Sequence, residues 1–220
     1  MSFDLPYLID QFPALVQGLL VTLQATAIAF VFSLIIGILG GACRVFRIPI
    51  LNQAVITYVE LIRNTPILGQ LFMIFYGLPA VGFKLGLFES GVATLILWAG
   101  AYQVENVRAG LLTVAKGYHE AAFSLGLSRP LYFFLIAIPI AIRAALPSIL
   151  NTSISMLKNS SYLQVIGVAE LTFVAVDRVS SDFHTIEMFS AICVIYLVLV
   201  FSFSFLFSRL ERRLNKPYTA

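Results

Sequence analysis

From Gln11 to Cys43 the chain carries no charged residue. A helix of about 20 apolar residues already spans about 30 Å of hydrocarbon. This run is therefore long enough to cross a bilayer, and Arg44 and Arg47 close it. The rest of the 220 residues follow suit: 60% are hydrophobic and 11% charged, with a mean hydropathy of +0.94. A soluble globule of this length is roughly 25% charged. The composition predicts an all-α integral membrane protein. It excludes a disordered chain, a nucleic-acid binder and a secreted disulfide scaffold.

Five spans are expected, near 18–42, 52–78, 91–108, 144–168 and 186–207. The second contains Pro66, which should kink it or mark where a surface helix turns into the membrane. Short loops leave no room for a separate soluble domain, so the chain reads as one transmembrane domain over 1–220. The basic residues set the orientation. With the N-terminus outside, Arg44, Arg47, Arg63, Arg108, Lys116, Arg129, Arg143, Arg209, Arg212, Arg213 and Lys216 fall on the cytoplasmic side. Only Lys84 and Arg178 fall outside. The outer loop before the fifth span carries Glu170, Asp177, Asp182 and Glu187. The topology expected is N-out, C-in. Asp4 and Asp10, with no Lys or Arg in the first ten residues, argue against a cleavable leader. Cys43 and Cys193 are expected to be packing thiols.

Self-contained catalysis finds no support. No G-x-x-x-x-G-K-[ST] loop for ATP occurs. His119-Glu120 begins like a zinc-protease motif, but Phe123 stands where its second histidine would be. No Cys/His cluster has ligand spacing, so no cofactor and no metal are expected on this chain.

The segment 113–143 is the longest expected on the cytoplasmic side. Its first half reads as a short helix in which Tyr118, Ala122 and Gly126 share a face at four-residue steps. Ala122 and Gly126 are small enough for another backbone to approach. Gly126 suits the left-handed residue that ends a helix. By itself this could be an amphipathic linker on the membrane surface. The spacing Glu120-Ala121-Ala122, Gly126, then Ile136-x-Ile138-Pro139 resembles the EAA pattern of ABC importer permeases. Ile138 stands where that pattern usually has Leu.

The resemblance covers almost the whole chain. Glu60-Leu61-Ile62-Arg63-Asn64-Thr65-Pro66 through Gln70 resembles the approach to span two of polar amino acid permeases. Ala101-Tyr102-Gln103-Val104-Glu105 through Arg108 and Gly110 resembles their span three. Leu157-Lys158-Asn159-Ser160-Ser161 and Ile166-Gly167-Val168-Ala169-Glu170-Leu171 resemble their span four and its exit. The resemblance implies a coupling helix around Glu120, Ala121, Ala122 and Gly126, with Ile136 and Pro139 completing the motif. It implies a second permease subunit, identical or homologous, and two ATPase subunits that carry ATP and magnesium. It implies an external solute-binding protein, an amino acid cargo and a prokaryotic inner membrane. A self-sufficient secondary transporter or channel, or a non-transporting accessory subunit, would explain the spans but not the EAA spacing.

Ionisable groups inside a bilayer need partners or a watery path. Glu60 and Arg63 are three residues apart, as are Glu105 and Arg108. They read either as local ion pairs holding helix ends or as a gate whose pairs exchange partners, with Gln70 and Tyr102 nearby. Lys158 has no acid three or four residues away. It lines a substrate path, pairs inside the bundle or snorkels outward. Asn159 and Ser160 would add uncharged hydrogen-bonding groups there. Related permeases often place an acid after this lysine, and Asn159 in that position disfavours a strongly cationic cargo. The phenylalanines Phe201, Phe203, Phe205 and Phe207 read as lipid-facing or packing surface.

Overall fold

The structure, a computed structural model, describes residues 3–215, the last two as backbone alone. Every regular element among the described residues is helical. Helix α1 (Leu5–Val45) is 41 residues, about 60 Å at 1.5 Å per residue. The uncharged run thus occupies only part of a longer helix. Asp4 caps it by accepting from the Tyr7 amide at 3.0 Å.

The second span expected at 52–78 is not one helix. Helix α2 (Leu51–Arg63) ends before Pro66, and α3 (Ile67–Phe72) starts after it. Proline has no N–H to continue the ladder and disfavours helical geometry in the residue before it. Gln70 closes the break: its Nε2 donates to the Ile62 carbonyl at 2.8 Å and to the Thr65 carbonyl at 3.1 Å. From Met73 to Gly77 the helix widens to a π turn, and a 3₁₀ turn follows over Leu78–Val81. Pro79 lies just beyond the wide turn, and Pro139 stands in the same relation to a second π turn at Phe133–Ala137. A proline cannot supply the donor of a regular turn, and widening the turn is one way a helix accommodates that loss.

Helix α4 (Leu87–Leu112) is the central element, with 13 buried residues among its 26. It packs most extensively on α1 and next on α7 (Ile138–Asn159). Small residues make that approach possible. The buried positions of α1 include Gly18, Thr22, Ala25, Ala29, Ser33, Gly37 and Gly40, each three or four residues after the last. A Cβ on Gly37 would stand 2.6 Å from Gln103 Cβ and 2.9 Å from its backbone carbon. Close backbone approach through such stripes is how membrane helices gain van der Waals contact where lipid offers no hydrophobic drive.

The fourth helical stretch begins earlier than expected. Helix α6 (Arg129–Tyr132), the π turn, α7 and a 3₁₀ segment (Ser160–Ile166) run on without a break. The non-helical linker after residue 124 thus ends near Ser128, within the loop expected at 113–143. The cause is Pro130 in the first turn, where a missing N–H costs nothing. Arg129–Ile166, Leu5–Val45 and Thr185–Arg213 are each long and apolar enough to cross a membrane, and Ile67–Val81 is a shorter apolar helix.

The loop expected on the outer side before the last span holds a helix, α8 (Leu171–Asp182). Glu170 is not a solvated acid of that loop. It is fully buried at the N-cap of α8. It accepts from the Phe173 amide at 2.8 Å and from the Tyr196 hydroxyl at 3.2 Å, with the Thr22 hydroxyl at 3.4 Å. Three helices, α1, α8 and α9 (Thr185–Asn215), thus meet on one carboxyl. Burial raises its pKa above the ordinary 4.5, offset in part by these donors. The folded state therefore holds the proton more tightly. Its contribution is full below the ordinary value and is lost as pH rises through the folded value. Glu170→Leu, which strands the amide and the hydroxyl, should cost about 1–3 kcal/mol in thermal unfolding of the solubilised protein. Glu170→Gln should cost less and flatten the decline of stability with rising pH. An unchanged melting temperature for Glu170→Leu would refute the tie.

Candidate functional site

Three groups of side chains remain available for work. The first is an ion cluster where α1 meets α4. Glu105 accepts from Arg108 Nε at 3.0 Å and Nη2 at 2.7 Å through one oxygen, and from Arg44 Nη1 through the other. The side chains are 19–32% exposed, so solvent screens them only partly. One carboxylate between two guanidiniums leaves a net positive charge. The Glu105–Arg108 pair is where its three-residue spacing put it. Arg44, 61 residues away in sequence, is the member that local spacing could not reveal.

The Glu60–Arg63 pair does not form. Among the described residues no ion pair joins them. Glu60 accepts from Asn64 Nδ2 at 3.1 Å. The Arg63 guanidinium lies over the Tyr102 ring, 5.1 Å from its centre. Tyr102 in turn packs on Trp98 at 4.7 Å. A flat cation on an aromatic face gains about 0.5–1 kcal/mol at an exposed site, which ties the end of α2 to α4 without a carboxylate.

The second group is a stripe on α7. Ser148, Asn151, Ser155 and Lys158 follow at steps of three or four, and Tyr162 continues the line into the 3₁₀ segment. Ser148, Asn151, Lys158 and Tyr162 are exposed in the single chain. The Lys158 ammonium makes no ion pair or hydrogen bond with the described residues. Behind the stripe stands an amide cluster. Asn106 Nδ2 lies 3.0 Å from Gln103 Oε1 and from Thr152 Oγ1, and 3.3 Å from the Ser148 carbonyl. Buried Gln103 donates to the Ile149 carbonyl at 3.3 Å. These contacts fix the rotation of α7 against α4, and with it the direction of the stripe. Ser160 does not belong to it. It is fully buried, and its hydroxyl donates to the Leu157 carbonyl at 2.7 Å. The turn tightens at Ser160 from α to 3₁₀, which carries the side chain inward. Asn159 is half-buried. Gln70 is occupied in closing the α2–α3 break, so it too is structural.

The third group is α5 (Lys116–Ser124). It ends in a Schellman arrangement: the Gly126 amide donates to the Phe123 carbonyl and the Leu127 amide to the Ala122 carbonyl, both at 3.0 Å. Gly126 has φ +76°, a conformation that costs an L-residue about 1–2 kcal/mol. Ala122 corrects the expected face. It is buried in this chain's own core with Tyr132, Ala137 and Ala141, so it cannot also meet a partner. Its small size lets α5 lie on α6 and α7. Every residue of α5 other than Ala122 is exposed, Tyr118, Glu120 and Ala121 among them, and Leu125 just past its end is 81% exposed. Ile136 sits half-buried in the π turn packed on the same core, and Pro139 is exposed in the first turn of α7. Cys43 and Cys193 are both free thiols.

Comparison with known proteins bears on the whole chain. The sequence is 35% identical over 217 residues to the glutamine transport system permease protein GlnP of Escherichia coli (strain K12), covering 98% of this chain and 99% of that one. It is 34% identical over 225 residues to the L-cystine transport system permease protein TcyL of Bacillus subtilis (strain 168), covering 99% and 94%. The fold matches a chain in the crystal structure of an amino acid ABC transporter with histidines, with TM-score 0.87, 35% identity and coverage of 97% and 100%. The MetNI methionine ABC transporter in an inward-facing form shares the fold at 21% identity and TM-score 0.80, covering 93% and 98%. Residues 29–216 match the family described as binding-protein-dependent transport system inner membrane component, and the chain belongs to that family.

Proposed function

We propose that this chain is the membrane-spanning subunit of an ATP-driven importer that passes a polar amino acid inward by alternating access. It crosses five times, through α1, the broken helix at Ile67–Val81, α4, the helix from Arg129 to Ile166, and α9, with the N-terminus outside and the C-terminus in the cytoplasm. It pairs with a second permease subunit. Two ATPase subunits dock on the α5 loops and carry ATP and magnesium, and a solute-binding protein delivers cargo from outside. The names of the relatives support an amino acid as cargo.

The observation that carries the reading is the unpaired Lys158 on the polar stripe of α7. An amino acid always brings a carboxylate. A cation with no acid of its own, on a stripe of hydroxyl and amide groups whose direction Gln103 and Asn106 fix through α7, suits that carboxylate as it passes. The Glu105 cluster and the Arg63–Tyr102 contact lie where α1 and α2 end against α4 and suit a gate, because each joins two helices through contacts that can be exchanged.

Lys158→Met keeps the length and removes the charge. In proteoliposomes with the binding protein and ATPase, uptake across a panel of labelled amino acids should fall at least about tenfold, as loss of one charged contact worth about 1.5–3 kcal/mol requires. Assembly and basal ATPase activity should stay. Normal uptake would show that the lysine only snorkels. The orientation is tested separately: a reporter fused after Arg213 should read cytoplasmic, and an external readout would overturn the five-span topology.

A further inference from the structure

One apolar cavity of the chain is not lined by the α7 stripe. That cavity is a crevice of about 250 Å³ between α1, α7 and α9, walled by Leu23, Ala27, Phe30, Leu157, Phe203 and Phe207. Two hydroxyls reach its wall, and both already have acceptors. Thr26 donates to the Thr22 carbonyl and Ser153 to the Ile149 carbonyl, each at 2.8 Å. An amino acid, with one charge of each sign, would find no partner there. A methylene chain needs none.

We propose that this crevice holds one acyl chain of an anionic phospholipid, with the headgroup bound by the arginines that end α9. The first support is charge. Just past Phe207 come Arg209, Arg212 and Arg213, all exposed, with Glu211 the one acid among them. They stand about 3–9 Å further along the axis than Phe207 at 1.5 Å per residue. A headgroup layer begins at the edge of the hydrocarbon and is about 5–8 Å deep. One lipid therefore reaches both the crevice and the arginines. Arg209 already rests on the Phe205 ring, 4.7 Å from its centre, which holds the guanidinium at that level.

The second support is the packing of α9. Only 6% of its most apolar window is buried inside the chain, and its buried residues Glu187 and Met188 lie in the first turn. Beyond Tyr196 its residues through Arg213 are at most half-buried, the crevice phenylalanines Phe203 and Phe207 among them. A lipid tail lying between the walls of the crevice makes dispersion contacts with both of them. The cytoplasmic leaflet as the lipid's source rests on the C-in orientation proposed above.

The test uses the full-length protein in detergent, titrated with phosphatidylglycerol or with phosphatidylcholine of the same acyl chains, and read by native mass spectrometry. The wild-type protein should retain phosphatidylglycerol at least about tenfold better, because basic side chains at the membrane surface attract an anionic headgroup and not a zwitterionic one. Replacing Arg209, Arg212 and Arg213 together by glutamine, a change confined to the exposed helix end, should bring the preference below about twofold. Ala27→Phe, which fills the crevice, should release both lipids while the protein stays monodisperse. Equal retention of the two lipids by the wild type would overturn the proposal. So would unchanged retention in Ala27→Phe, or a second copy of the chain displaced by that change in place of lipid. None of these readings depends on transport. A failure here therefore leaves the importer reading standing, and an external reporter readout would move the lipid to the other leaflet without changing the binding.

Discussion

Valine at Gly110 is expected to part α4 from α7 and to leave little assembled protein in the membrane. A Cβ at this position would fall onto the Ala141 carbonyl oxygen and lie 3.0 Å from Ala145 Cβ. A carbonyl locked in a helix cannot rotate aside as a flexible side chain would. Overpacking costs typically about 1–3 kcal/mol and more where backbone must move. The loss spreads further, because α4 also holds Gln103 and Asn106 against α7 and Glu105 against α1. Gly69 makes the control, since nothing lies within 4 Å of its added Cβ. In detergent, Gly69→Ala should keep the melting temperature and elution profile, and Gly110→Val should lose the folded peak. Equal behaviour of the two would mean that α4 and α7 do not pack as closely as described.

How much of this was legible in the sequence depends on whether the signal is local. The run from Gln11 to Cys43 announces a helix because a bilayer leaves the backbone no other way to satisfy its hydrogen bonds. The Glu105–Arg108 pair and the end of α5 at Gly126 are likewise decided within one turn. Spacing puts two residues on one face, but it does not say which competitor wins. Glu60 and Arg63 have the same spacing as Glu105 and Arg108, yet Asn64 takes the carboxylate and Tyr102 takes the guanidinium. Arg44, Gln103 and Asn106 act across helices, beyond what periodicity reports. One signal was present and unread. The small residues from Gly18 to Gly40 mark the face α1 turns to its neighbours, a pattern that the positions of charges do not report. Glu170 was hidden for the opposite reason. An acid in an acidic loop reads as solvated until three helices are seen to close over it.

The coupling loop is where the correction matters most for function, and a pair of substitutions separates its two faces. In the proposed assembly the outward side of α5 enters the ATPase. Leu125 is its most exposed apolar residue. Tyr118, Ala121 and Leu125 lie at i, i+3 and i+7, so they form one stripe. A single buried anchor of this kind is worth about 2 kcal/mol or more. Leu125→Asp should therefore lower retention of the ATPase on the purified permease about thirtyfold or more, with uptake lost and the permease itself still folded. Ala122→Leu acts on the other side. It forces extra carbons between α5 and Tyr132, where the alanine is already 2% exposed. That change should loosen α5 from its own chain, seen as protease sensitivity between Thr113 and Ser128 even with no ATPase present. The EAA alanines would then have separate duties: Ala122 fixes the helix to the membrane body, and Ala121 lets a partner come close. Movement of the ATPase can be passed to the spans only if both contacts hold. Full ATPase retention in Leu125→Asp, together with lost retention but no new protease sensitivity in Ala122→Leu, would reverse the two faces and return docking to the Ala122 side.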